Sequence, residues 1–410
     1  QALGAGDDGK SHLGSYLAGR FARGSNDTSA AVGYYRQTLT RDPANDVLAE
    51  QAFLMELTEG NFEEAKQLSL RLSKAQEGHR LAHLFLGLSA FKSGNLDAAD
   101  AALKTSASGP IGELTGALSR AWVKSAQGKV DEALDLLQSP SQPEWAQYYM
   151  RYHRALIADA AGRRNEARAA YERVFKTDAR TLRIAIAFAR HAANTGDMKL
   201  ARSILKEHID RSGGEGHPMA RALRDELEDG VVISLILTKP EEGLAEVFYG
   251  LGEALSTEGG TSVGAVYLQM SLYLNPGFPF ALAALANVHE TNKRYEQAIT
   301  VYERIPAGTP LQSAIDIRKA VNLNLLDRVD EAKQMLEALA SRDPSDIRPL
   351  DALGSIMRAR KRYEEAVDYY TRAIALIPKP ERKHWSYWYS RGTSYERLKQ
   401  WPKAEADLKK

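Results

Sequence analysis

Apolar positions along the chain recur at helical spacing in blocks of about fourteen residues, each followed by a short polar turn. Residues 362–378, RYEEAVDYYTRAIALIP, show the pattern: small residues, Ala366 and Ala373, stand among large ones, and a proline closes the run. Closely similar contexts surround Ala298 (YEQA), Ala332 (VDEA) and Ala404 (WPKA). The first three of these alanines (298, 332, 366) are 34 residues apart, and the last is 38 on, after an insertion around PKPERKH. The N-terminal half keeps the same period at Ala31, Ala65, Ala99, Ala133, Ala167 and Ala201.

Other columns run in step. Twelve residues before each alanine stand Gly19, Phe53, Gly87, Ala121, Ala155 and Ala189, then Gly252, Ala286, Ala320, Gly354 and Gly392; all but Phe53 are small. Four residues after it stand Tyr35, Leu103, Leu137, Tyr171, Leu205, Leu268, Tyr302, Leu336, Tyr370 and Leu408, with Ser69 the exception. Twelve after it, proline recurs at 43, 276, 310, 344 and 378. Two helices that cross closely need small residues at the crossing and a large one to fill the groove beside it. Proline then stops the second helix, because it lacks a donor and clashes with the preceding turn.

A 34-residue period with several matched columns resembles the tetratricopeptide repeat family over about nine-tenths of the chain. The resemblance implies an all-α fold, an α-α superhelix of about eleven helix-turn-helix repeats with one irregular break. The register slips between Ala201 and Gly264, which lie 63 residues apart, five short of two repeats. RSGGEGHP and GVVISLILTKP flank a short helical pattern there. The expected organisation is a flexible tail at 1–11, six repeats at 12–211, a degenerate junction at 212–244, and five repeats at 245–410 with the last one truncated.

Composition narrows the function classes. With 44% apolar and 26% charged residues the chain is a folded protein, and a net charge of +1 gives no general attraction to nucleic acid or anionic lipid. The longest apolar run, Val231–Leu237, is too short to span a bilayer. There are no cysteines, which excludes disulfides, thiolate metal sites and cysteine nucleophiles and suits an oxidising compartment. The chain starts at Gln1 and ends inside a helical pattern, so it reads as a fragment of a longer protein.

Nothing points to catalysis or to a cofactor. Gly4–Ser11 satisfies G-x-x-x-x-G-K-[ST], but a phosphate loop needs a preceding buried strand, and only three residues precede this one. His79 and His83 lie one helical turn apart without the glutamate or third ligand of a zinc hydrolase. Tyr35, Tyr171, Tyr302 and Tyr370 fall in core columns; Trp388 falls on a helix–helix face, which leaves Tyr389 as the residue of interest in HWSYWYSRG.

In the tetratricopeptide family the first helices line a concave groove that holds peptides or helices of partner proteins. Carried onto this chain, the groove positions are Leu84, Leu88, Phe91, Leu118, Trp122, Tyr149, Tyr152 and Leu156 in the third to fifth repeats. The C-terminal block supplies Tyr249, Glu253, Asn287, Glu290, Asn324, Arg348, Asp351, Ser355 and Arg358. One half is apolar and aromatic, and could be an interaction patch or be filled by the chain itself; the other half is polar. The stretches AEVFYGLGEAL, YLQMSLYLNPGFP and ERKHWSYWYSRGTSYERLKQWPKAEADL resemble long alphaproteobacterial members of the envelope-associated tetratricopeptide proteins of Gram-negative bacteria. This resemblance implies a secreted, non-enzymatic scaffold, periplasmic or outer-membrane-associated, that binds protein partners. A subunit of a polysaccharide-export assembly, or the recruiting region of an enzyme whose catalytic domain lies elsewhere, stays open.

Overall fold

A computed structural model describes residues 12–24, 27–138, 142–213 and 216–410. The expected tail at 1–11, with the Gly4–Ser11 motif, lies outside the described residues. All regular structure among those described is helical. Six helix pairs come first: α1 (His12–Gly24) with α2 (Thr28–Arg41), α3 (Asp46–Glu59) with α4 (Phe62–Ala75), and α5 (Arg80–Lys92) with α6 (Leu96–Thr105). They continue as α7 (Gly109–Ala126) with α8 (Val130–Leu136), α9 (Glu144–Ala160) with α10 (Arg164–Thr177), and α11 (Leu182–Asn194) with α12 (Met198–Arg211). A lone α13 (Pro218–Glu228) follows. Five pairs then complete the chain: α14 (Pro240–Thr257) with α15 (Thr261–Leu274), α16 (Pro279–Thr291) with α17 (Tyr295–Glu303), and α18 (Gln312–Leu325) with α19 (Val329–Arg342). The last two are α20 (Arg348–Ala359) with α21 (Tyr363–Ala375) and α22 (Trp385–Arg397) with α23 (Trp401–Leu408). The chain is an all-α repeat solenoid, with the expected break where α13 stands alone.

The columns do what their sizes require. The alanines at 31, 65, 99, 133, 167, 201, 298, 332 and 366 are fully buried. The small residue twelve before each alanine receives the large one four after it. A Cβ added at Gly87 would lie 2.7 Å from Leu103, one at Gly354 2.7 Å from Tyr370, and one at Gly392 3.1 Å from Leu408. The two exceptions, Phe53 and Ser69, stand in the same sixteen-residue relation and are both fully buried. At that crossing large and small have changed sides, which conserves volume where a single change would not.

Local signals set the helix starts. Asp27, Asn45, Asn95 and Asp197 accept backbone N–H bonds from Ala30, Leu48, Ala98 and Leu200 at 3.0–3.2 Å. Carboxylates sit in the first turn of many second helices, such as Glu63 and Glu64 in α4 or Glu364 and Glu365 in α21, where the helix dipole favours them. At the break, residues 231–237 form no helix. Asn194 and Arg190 of α11 hold them by bonds to the carbonyls of Ile233 (3.1 Å) and Ser234 (3.2 Å). Glu242 then accepts from the backbone of Thr238 and Lys239 to start α14.

The chain forms two compact units, Gln1–Ala284 and Leu285–Lys410, and the division falls inside α16 rather than at the register break. In the first unit α14 and α15 do not simply continue the row of pairs. Helix α14 packs on α7 and α9, and α15 packs on α3 and α5, all of them first helices of earlier repeats. The second unit has its own core, in which Leu323, Leu336, Leu353, Met357, Ala366, Tyr369 and Tyr370 are buried together.

Candidate functional site

The first helices of the N-terminal unit face inward on α14 and α15. Trp122 on α7 is completely buried, and a Cβ at Gly243 of α14 would fall on its indole ring, so only glycine admits this approach. The Trp122 Nε1 donates to His153 Nδ1 at 3.0 Å. Tyr152 on α9 donates to Glu246 of α14 at 3.2 Å. Thr115 and the Tyr267 hydroxyl share a hydrogen bond of 3.1 Å, and Gln269 donates to the Thr58 carbonyl at 2.9 Å. Tyr273 packs on Phe62 and Phe85 with ring centroids 4.9 and 5.1 Å away, and its carbonyl accepts from Lys92 at 2.7 Å.

The centre of this contact is ionic. Arg183 on α11 donates Nε to Glu246 Oε1 at 2.8 Å and a second N–H to the other carboxylate oxygen. The Glu246 side chain is 2% exposed and that of Arg183 12%, so the pair is removed from water. Burial opposes the charge on Arg183, but the Glu246 carboxylate more than offsets it, and the guanidinium pKa is raised. The Arg183 guanidinium also lies 4.7 Å from the Phe280 ring centroid and 5.4 Å from that of Phe278. Burial pushes the Tyr152 hydroxyl well above its ordinary range and His153 down to about 4, so both stay neutral.

Leu84, Leu88, Phe91, Leu118, Trp122, Tyr152 and Leu156 are therefore all buried, and only Tyr149 of the apolar set keeps partial exposure. This corrects the expectation that they line an open groove: the chain's own α14 and α15 cover that face. The physical reason stands in α15, where residues 264–272 are buried without a break and no polar face is left for solvent. An all-round apolar helix must be enclosed, and the first-helix face beside it is what encloses it. That missing polar face at 261–274, and a glycine at 243 able to meet a tryptophan, were the signals in the sequence. Arg183 and Glu246 carried no such signal; their pairing depends on residues 63 apart along the chain.

In the C-terminal unit the polar positions remain at the surface and are cross-linked between repeats. Asn287 and Arg348 are exposed, and Glu290, Asn324 and Arg358 are half-buried. Arg318 of α18 pairs with Glu290 and reaches Asn287 Oδ1 at 3.3 Å, while Asn322 donates to Glu290 at 2.8 Å. Arg360 donates to Asn324 Oδ1 at 2.9 Å and also pairs with Asp327. Arg348 bonds Asp346 at 2.7 Å and Ser313 at 3.1 Å. Asp351 and Arg358, seven residues apart on α20, have no ion pair or hydrogen-bond partner within reach among the described residues; burial raises the Asp351 pKa, and Arg358 acts against that rise.

The remaining sequence candidates resolve as capping or packing. His79 caps α5, accepting from the Ala82 N–H at 3.2 Å, and His83 Nε2 lies 2.7 Å from the Glu77 carbonyl. Trp388 is buried, while Tyr389 is exposed and packs on Trp385 with centroids 5.5 Å apart. Among the described residues no three His, Asp or Glu side chains converge as metal ligands, and no helix is long and apolar enough to cross a membrane.

Comparison with known proteins places the repeats. A tetratricopeptide repeat-like domain model matches residues 28–188, and a tetratricopeptide repeat model matches 281–311 and 350–383. No curated protein matches the chain. Among solved structures, the Naa15/Naa10 complex bound to HypK-THB aligns over 98% of this chain at 14% identity with a TM-score of 0.36; this chain spans 65% of that one. The Cut9–Hcn1 hetero-tetramer of the APC/C aligns over 97% of this chain and 86% of that chain, at 14% identity and a TM-score of 0.36. MamA from Desulfovibrio magneticus RS-1 aligns over 40% of this chain and 91% of its own, at 19% identity and a TM-score of 0.34. The repeat models together cover just over half of the chain, and its small–large crossings recur on their period: the chain belongs to the tetratricopeptide repeat family.

Proposed function

We propose that the chain is a non-enzymatic scaffold that binds a protein partner through the first-helix face of its C-terminal unit. The observation that carries this reading is the contrast on α20: Asp351 and Arg358 stand on one face and act only on each other, with no hydrogen bond or ion pair to a neighbouring repeat among the described residues, whereas the N-terminal face is covered. Asn287, Glu290, Asn324 and Arg348 extend the same polar surface, and the side-chain amides of Asn287 and Asn324 can pair with a partner's backbone. Charged rim groups of this kind set orientation and association rate more than affinity. An address in a Gram-negative cell envelope belongs to the same reading; it draws on the absence of cysteine and on the envelope-type stretches of the sequence.

The test is a capture experiment from envelope extract using wild-type protein and two variants, Arg358→Glu and the exposed control Lys206→Glu on α12. The reading expects Arg358→Glu alone to lose partners that the wild type retains, with its circular dichroism unchanged. Equal capture by all three proteins contradicts it.

A further inference from the structure

Between α9 and α14 of the N-terminal unit, where the covered face reaches solvent, two adjoining cavities share Tyr149 and Ala254 in their walls. Their volumes are about 450 and 280 Å³. The size suits a small ligand or a single long side chain. Five tryptophan and tyrosine rings line the walls: Trp145, Tyr148, Tyr149 and Tyr152 from α9 and Tyr249 from α14. Tyr148 and Tyr149 stand edge to face, with centroids 5.5 Å apart and planes at 89°. The lining also holds the carboxylates of Glu246, Glu253 and Glu258.

The charge balance is uneven. Glu246 is neutralised by Arg183, the one cation in the lining of either cavity. Glu253 and Glu258 form no ion pair among the described residues. Glu253 accepts from the Tyr249 hydroxyl, burial raises its pKa, and burial together with both carboxylates raises that of Tyr149. Aromatic faces carry negative charge density at their centres, and two unpaired carboxylates add to that field. A neutral apolar ligand would gain nothing from these carboxylates, and an anion would be repelled.

We propose that this cleft binds an organic cation, a quaternary or protonated amine or a guanidinium, beside the partly exposed Tyr148 and Tyr149 rings and with Glu253 as the counter-charge. The cation could be a free small molecule or the end of a basic side chain on a polypeptide; the chemistry of the cleft is the same for both. Gly250 provides a way to close it. A Cβ there meets only Tyr149, at 3.7 Å, an ordinary contact, so a larger side chain enters the cleft without disturbing the helix packing.

The test titrates the full chain with choline, with N-acetyl-arginine amide, and with 3,3-dimethylbutanol, the neutral isostere of choline. Binding is followed by calorimetry and by the fluorescence of Trp145 at the cleft. At least one cation should saturate, with the neutral isostere ten or more times weaker. Glu253→Gln should weaken the cation about tenfold, and Gly250→Leu should abolish binding with the unfolding midpoint unchanged. Tighter choline binding assigns the cleft to a free amine, and tighter arginine-amide binding assigns it to a basic side chain. Absence of saturable binding by both cations, equal binding of the isostere, or indifference to both substitutions overturns the proposal. Glu253→Gln is isosteric and keeps an acceptor for the Tyr249 hydroxyl, so it still decides the matter if Gly250→Leu fails to fold.

Discussion

The two units present the same structural position in opposite ways. On the N-terminal first helices, Leu88, Leu118 and Trp122 are fully buried beneath α14 and α15; on the C-terminal ones, Asn287 and Arg348 face solvent. One repeat geometry supports both, because the period fixes the crossing of helices within a pair and leaves the outer face of the first helix free. What that face does depends on whether an apolar helix elsewhere in the chain needs it. The turns differ in a parallel way. Within the N-terminal repeats the left-handed turn residue is glycine, at 60, 94, 128, 162 and 196, with φ between 75° and 89°. In the C-terminal unit it is Lys293, Asp327, Lys361 and Lys399, with φ between 59° and 64°. A side chain in that conformation costs energy that glycine avoids.

The comparison breaks most sharply at its ionic centre. Arg183→Ala leaves Glu246 buried without its cation and should cost about 3–5 kcal/mol in the N-terminal unit. Replacing both, as Arg183→Met with Glu246→Leu, should cost clearly less. Urea unfolding followed by the fluorescence of Trp122 and Trp145 reads both variants; a double variant as damaged as the sum of its singles would show that the pair is not coupled.

Acid should loosen the same contact. His153 has a pKa of about 4 in the folded protein against an ordinary 6.5, so between those values the unfolded chain takes up the proton first. Stability contributed by neutral His153 is complete above pH 6.5 and is lost as the pH falls toward 4, by about 3 kcal/mol in full. His153→Gln keeps an acceptor for the Trp122 N–H and removes the titration. Its unfolding free energy should therefore depend less on pH between 6.5 and 5 than that of the wild type, and parallel profiles would refute this.

Gly243→Ala tests the seat of α14 directly. The added methyl falls on the Trp122 ring, and overpacking of this kind costs about 1–3 kcal/mol. The C-terminal unit, with no such cover, offers the matched control: Ser386→Ala lies on an exposed position of α22 and should leave stability unchanged within about 0.5 kcal/mol. The turn exchange is the smallest effect. Lys361→Gly should stabilise the C-terminal unit and Gly94→Lys should destabilise the N-terminal one, each by about 1 kcal/mol in thermal unfolding.

How far the sequence reached follows from which interactions are local. The alanine column, the glycines that admit Leu103 or Tyr370, and the break near α13 are all set by residues less than 35 apart, so one period makes them visible. The cover over Trp122 joins residues 121 positions apart, and nothing at Trp122 itself distinguishes a groove tryptophan from a buried one. The distinguishing mark lay on the other partner, in α15, whose sequence TSVGAVYLQMSLYL offers no polar stripe. The division between compact units inside α16 left no mark either, since Pro279–Thr291 keeps the repeat pattern throughout.

The central claim is that the chain fills its own N-terminal face, and Trp122 reports on it. The chain has five tryptophans, so replacing Trp145, Trp385, Trp388 and Trp401 with phenylalanine leaves Trp122 as the only one. With the face covered, its emission should be blue and almost unquenched by acrylamide, and Gly243→Ala should raise the quenching. Red emission, quenched about as readily as free indole in the folded single-tryptophan protein, would contradict the account.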